Sequence, residues 1–308
     1  MSPLRHALID YLVVRRALGF KLQRTEKLLQ QCLTYVEQCG ETHLRQPTML
    51  AWATQPGNEQ SGWPAYRLAI VRRFAVHLHA IDPATEVPPA DVLPWRHGRA
   101  TPYLYSDDQV TSLLAAAVTL RTSYRVATYR TLIGLLLVTG MRVGEALALD
   151  RDDMDVPQRV LTIRHTKFGK SRELPVHPST VAALHHYLQR DDRPRVATRT
   201  AAVFVSLAGT RLRYCNVHWT FHRLVRRAGL TPRSVTCRPR IHDLRHRFAV
   251  CTLLDAYRSG EDTHPRLHLL STYLGHVDPV QTYWYLSAAP ELLQLASDRL
   301  QRHLGGDV

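Results

Sequence analysis

The stretch LGHVDPVQTYWYLS, residues 274–287, carries two phenols, Tyr283 and Tyr285, with His276 nine residues before the second and Thr282 three before it. Each helical residue turns about 100°, so residues two apart face nearly opposite sides and only one phenol can reach a given pocket. Upstream, TGMRVGEALAL (139–149) sets Arg142 at a helix start just behind Gly140. Backbone N–H groups there favour an anion, and the guanidinium adds a bidentate donor for phosphate oxygens. In IHDLRHRFAV (241–250), His242 and Arg245 stand at i and i+3, a titratable imidazole beside a permanent cation on one helix face. Two of the four lysines, Lys167 and Lys170, lie between two strand-like runs, where a lysine can swing into a site and deliver a proton if neighbouring cations lower its pKa. Singly, each has a plainer reading: a surface arginine, a packing histidine, a solubilising lysine. Together they supply a phenolic nucleophile, dense positive charge and a proton donor, which is what phosphoryl transfer to a tyrosine requires.

The elements that must position these groups are mainly helical, an α+β chain with one small β element. RVLTIRH (159–165) and RELPVH (172–177) flank Lys167-Phe168-Gly169-Lys170 as an antiparallel hairpin. Helical patterns cover about 179–190, 215–228, 241–258 and 265–274, and a last amphipathic helix starts near Pro290. Ser106 and Gln109 form an S-x-x-Q capping box that opens a helix. Before it, DPATEVPPADVLPWRHGRATP (82–102) has five prolines and no period, as a linker would. The first 80 or so residues read as helices: Leu28, Leu29, Cys32, Leu33 and Val36 repeat at helical spacing before Gly40, and Trp63–Ile81 carries Arg67, Arg72 and Arg73 on what reads as a solvated or DNA-contacting face. This gives a helical domain over 1–85, a linker over 86–101 and a second domain over 102–308.

The formal charge of +14 points to a polyanion, nucleic acid first. Thirty-six arginines stand against four lysines, a bias that suits phosphates but can also follow from genomic base composition. The longest apolar run, LIGLLLV at 132–138, falls far short of a membrane span, and Arg5 and Asp10 interrupt any signal peptide. Five cysteines without a CxxC spacing argue against a disulfide framework and structural zinc, so a reduced, cytoplasmic protein is expected.

With TGMR, TKFGK, HDLR, LGH and TYWY in that order, the sequence resembles the tyrosine recombinase, or phage integrase, superfamily over roughly 102–290. The N-terminal helices match that family's core-binding domain only in size and character. The resemblance implies that Arg142 and Arg245 clamp a scissile DNA phosphate and that Lys167 protonates the leaving 5′ oxygen, with Lys170 as fallback. It implies that His242 assists proton transfer and that His276 hydrogen-bonds a non-bridging oxygen. Glu145 supports the site or merely pairs there. Tyr285, at the family's nine-residue distance from His276, is the nucleophile rather than Tyr283. The same likeness implies no cofactor and no metal, since the phosphotyrosyl link conserves the bond energy. It also implies double-stranded DNA with inverted-repeat core sites, tetrameric assembly with possible companion recombinases, a C-terminal docking helix and a mobile-element setting. Three other readings stand beside it: a catalytically silent DNA-binding accessory protein, a type IB topoisomerase-like enzyme, and, remotely, a zinc hydrolase using His242 and His246.

Overall fold

The computed structural model describes residues 2–55, 62–93, 101–164, 171–194, 200–259 and 263–276, together with 278, 282, 283, 285, 291, 293–295, 297 and 301. The chain divides into two compact units, Met1–Ala100 and Thr101–Val308. Among the described residues no helix is long and apolar enough to cross a membrane.

The N-terminal unit is built from α1 (Pro3–Ala17), α2 (Gln23–Gln38), α3 (Gln46–Ala53) and α4 (Trp63–His79). Pro3, Pro47 and Pro64 sit in first turns, where a fixed φ fits and a missing N–H costs nothing. The repeating apolar residues of α2 are buried against Trp52 of α3 and Phe74 of α4. Each such side chain is worth about 1.5–3 kcal/mol of transfer free energy. Gly40, at φ +75°, lets the chain turn back, and the Glu41 N–H returns to the Val36 carbonyl at 3.2 Å.

The proline-rich stretch begins inside this unit. The Glu86 N–H donates to the Leu44 carbonyl at 2.8 Å, its carboxylate accepts the Gln46 N–H at 2.7 Å, and Val87, Val92 and Leu93 pack on the core. Non-local hydrogen bonds hold it, so no local period betrays it. The three arginines of α4 do not share an outward face. Arg67 is buried, its guanidinium 4.0 Å from the Trp52 ring centre; Arg72 donates to the Pro88 carbonyl at 2.9 Å; Arg73 is exposed.

The second unit opens with α5 (Asp107–Ala116), and its capping box forms as anticipated: Gln109 N–H to Ser106 Oγ at 3.2 Å, Ser106 N–H to Gln109 Oε1 at 3.1 Å. α6 (Ser123–Thr139) leads through Gly140 to the short α7 (Val143–Ala148). A three-stranded antiparallel sheet follows in the order β1 (Met154–Asp155), β2 (Val160–Ile163), β3 (Arg172–Pro175), with Ile163 opposite Arg172 and Leu161 opposite Leu174. The hairpin anticipated here thus gains one edge strand. α8 (Pro178–Leu188), α9 (Tyr214–Arg227), α10 (Asp243–Arg258) and α11 (Thr263–Leu274) complete the unit. One core gathers around α6 and α9; a second joins α10 and α11 and includes Tyr285.

Candidate active site

Two tight turns bring the charged groups together. Gly140 ends α6 at φ +59°, and a Cβ on it would run into the Phe248 ring of α10 and come within 3.0 Å of Leu274. That close approach sets Arg142, at the start of α7, beside the C-terminal end of α11. Gly275, at φ +67°, makes the second turn and is followed directly by His276.

Arg245 lies at the centre and is 2% exposed. Its Nη1 donates to the Gly140 carbonyl at 2.8 Å, and its Nη2 donates to the Leu274 carbonyl at 2.8 Å and to His276 Nε2 at 2.9 Å. A guanidinium has no acceptor, so His276 Nε2 accepts and its proton sits on Nδ1, which donates to Thr282 Oγ1 at 2.7 Å. One helical turn after Thr282, the Tyr285 ring stacks 6.0 Å from that of His276 and meets His246 edge-on at 5.3 Å. The Tyr285 phenol lies within the electrostatic reach of Arg245. Tyr285 is 3% exposed and Tyr283 41%, so the two phenols face opposite ways, as their spacing requires.

Glu145 binds two arginines. Its carboxylate accepts the Arg142 backbone N–H at 2.9 Å and Arg142 Nη1 at 2.8 Å, while Arg172 Nη1 and Nη2 fork onto the same two oxygens at 3.1 and 2.8 Å. Arg142 Nη2 reaches the Gly275 carbonyl at 3.4 Å. Because α7 is only six residues long, its dipole adds little, and fixed guanidiniums supply the positive field instead.

The protonation states follow from this crowding. Burial first, then the cations of Arg245, Arg142 and Arg172, push the His276 imidazole down to about 4. Burial and Arg245, Arg142 and Arg240 push His242 likewise to about 4. The outer edge of His242 is open to solvent, so water tempers the burial contribution there and the cations fix the direction. Burial opposes ionisation of Glu145, but hydrogen bonds from Arg172 and the Arg142 backbone outweigh it and hold the carboxyl at about 2. Burial lowers even Arg245 to about 10. At neutral pH the site holds neutral imidazoles, three guanidiniums (Arg142, Arg172 and Arg245) and, among the described residues, one carboxylate facing them. An oxyanion would be strongly favoured in it.

Of the residues singled out from sequence, Arg142, Glu145, His242, Arg245, His276 and Tyr285 therefore meet in one place. Lys167 and Lys170 lie outside the described residues, as do Trp284 and Pro290. His242 and His246 lie edge to face with centres 4.9 Å apart, and Asp243 between them is paired with Arg240 at 2.9 Å. Among the described residues no group of three His, Cys, Asp or Glu side chains could hold a metal ion. Sequence reasoning missed Arg172 as a neighbour of this site, and it named Thr282 only for its spacing from Tyr285 and His246 only in the zinc reading. The signal for Arg172 was strand alternation, which puts it on the side of buried Leu174, where a cation needs a carboxylate.

The sequence matches the phage integrase family over residues 104–291. It is 44% identical over 309 residues to the integrase/recombinase y4rB of Sinorhizobium fredii, covering 98% of each chain. It is 30% identical over 295 residues to the tyrosine recombinase XerD of Mycobacterium tuberculosis, covering 90% of each. In fold it is similar to the Tn1549 transposon integrase in complex with transposon right end DNA (TM-score 0.62, 16% identity, 96% of this chain and 99% of that one). It is also similar to a lambda integrase dimer bound to a core site (TM-score 0.60, 16% identity, 91% and 94%). Reached from the buried phenol and its arginines on one side and from these relatives on the other, the conclusion is the same: the chain belongs to the phage integrase family and is a tyrosine-type site-specific recombinase.

Proposed function

We propose that this chain cuts and rejoins double-stranded DNA at specific sites by transesterification, with Tyr285 as nucleophile. The Tyr285 oxygen attacks the scissile phosphorus, its phenolic proton passing toward His242. The P–O5′ bond breaks, the departing 5′ oxygen takes a proton, and a 3′-phosphotyrosyl ester remains. A 5′ hydroxyl from a partner strand then attacks that ester and frees the phenol. Arg142 and Arg245 hold the non-bridging oxygens, His276 hydrogen-bonds one of them, and Glu145 orients Arg142. The family likeness supports Lys167 as the proton donor to the 5′ oxygen, with Lys170 as the alternative. The N-terminal unit would contact the duplex through cations such as Arg73. The working form is proposed to be an oligomer on inverted-repeat sites of a mobile element. Two relatives support this: a lambda integrase tetramer bound to a Holliday junction, and the transposon integrase above.

One observation carries the reading: the Tyr285 phenol is buried against the His276 and His246 rings, in the electrostatic reach of Arg245, a buried guanidinium whose hydrogen-bond partners are main-chain carbonyls and a neutral imidazole. A phosphate would complete that arrangement. The test is covalent capture. Wild-type protein incubated with a pool of nicked duplexes of randomised sequence should yield a denaturation-resistant DNA adduct whose peptide maps to Tyr285. Tyr285→Phe should bind the captured duplex and form no adduct, whereas Tyr283→Phe should form it. An adduct retained by Tyr285→Phe overturns the assignment.

A further inference from the structure

Arg172 carries more of this site's geometry than any residue outside the acting set. Its side chain is 14% exposed, and every guanidinium nitrogen has a partner: Nη1 and Nη2 on Glu145, Nε on the Tyr273 carbonyl at 3.1 Å. The plane of the group lies against Gly275. A Cβ there would stand 2.8 Å from Nη1 and 3.0 Å from Cζ, so only a bare backbone leaves room. Three separate pieces of chain converge on this one side chain: β3, which bears it; the start of α7, through Glu145 and thence Arg142; and the turn after α11, which presents His276.

We propose that Arg172 is a positioning residue for strand cleavage: it fixes the Glu145 carboxylate, and through it the Arg142 guanidinium, and it fixes the Tyr273–Gly275 turn that sets His276. The inference rests on the phosphotyrosine reading above. Arg172 acts through Glu145 and the turn, to which its Nε and both Nη atoms are bonded, with its side chain 14% exposed. Lysine cannot replace it, since an ammonium is a point donor that cannot fork onto both Glu145 oxygens while reaching a carbonyl.

The test uses the full chain and the nicked duplex captured with the wild type. Arg172→Lys and Arg172→Gln should slow single-turnover adduct formation on the order of 10–100-fold, the usual loss when a partner that orients an acting group is removed. Affinity for the duplex, measured by filter retention in a Tyr285→Phe background, should change by less than about threefold, because most phosphate contacts lie elsewhere. Glu145→Gln should also give a loss, and adding Arg172→Gln to it should cost clearly less than the product of the two single losses, since both break the Arg172–Glu145 fork and only Arg172→Gln also releases the turn. Without the fork the Glu145 carboxyl rises, so the acid limb of the Arg172→Gln rate profile should move to higher pH. An Arg172→Lys rate within twofold of wild type overturns the inference. So does a fall in affinity parallel to the fall in rate, or a double variant whose losses multiply. Should Arg172→Gln fail to fold by circular dichroism, Arg172→Lys decides alone. A wild type that forms no adduct removes the phosphotyrosine reading and this inference with it, whereas an adduct formed equally fast by Arg172→Lys removes only the inference.

Discussion

A neutral imidazole held between a guanidinium and a hydroxyl can offer a proton to a phosphate oxygen only by gaining one or by changing tautomer. His276 is in that position, with Nε2 accepting from Arg245 and Nδ1 donating to Thr282. Its pKa of about 4 in the free protein must rise when an anion neutralises Arg245 and Arg142. Duplex binding near pH 5 should therefore take up protons, seen as a dependence of the calorimetric enthalpy on buffer ionisation heat, and His276→Asn should lose most of that dependence. The same depression bears on stability. An unfolded imidazole protonates near pH 6.5 while the native one stays neutral to about 4, so the unfolded state binds more protons between those values and stability falls as pH drops. The loss is on the order of 2 kcal/mol, and Glu145, held at about 2, adds its own loss below about pH 4.5. Urea midpoints across pH 4–7 measure it. Thr282→Val removes one hydrogen bond worth about 1 kcal/mol, so adduct formation should slow about fivefold at unchanged affinity.

Among the elements, the turns matter more than the helices they join. Gly140→Ala asks an alanine to hold φ +59° and to share space with Phe248 and Leu274, so a loss of at least about 2 kcal/mol and a lower melting temperature are expected. Gly134, within α6 and with nothing within 4 Å, is the control: alanine there should stabilise by about 0.5–1 kcal/mol. What was legible in the sequence follows the same division. Helices, the Ser106–Gln109 cap and the two-sided phenols were readable because their physics is local: periodicity, a capping hydroxyl, 100° per residue. The fork between Arg172 and Glu145 joins residues from two elements, and the fold of Glu86 onto Leu44 joins two more; nothing in either stretch alone names its partner. The α4 arginines mislead for a related reason, since the guanidinium of Arg67 lies over the Trp52 ring and a charged residue can be buried by its neighbours.

At the scale of the molecule, charge dominates. With a formal +14, duplex affinity should fall steeply with salt, about 10³–10⁵-fold between 50 and 200 mM if six to ten phosphates are contacted. Titration by fluorescence anisotropy gives the slope. Arg73→Ala should reduce its magnitude by about one, the signature of a single lost phosphate contact, with adduct formation retained, while Arg245→Ala should change the slope by no more than that and abolish adduct formation. The anchoring of the arginines carries a last implication. Beside the Glu145 carboxylate and His276, Arg245, Arg172 and Arg142 each also take hold of peptide oxygens of residues 140 and 273–275, which every amino acid supplies alike. That part of the anchoring is indifferent to side-chain identity, which suits a scaffold that keeps a TM-score of 0.60 with lambda integrase at 16% identity.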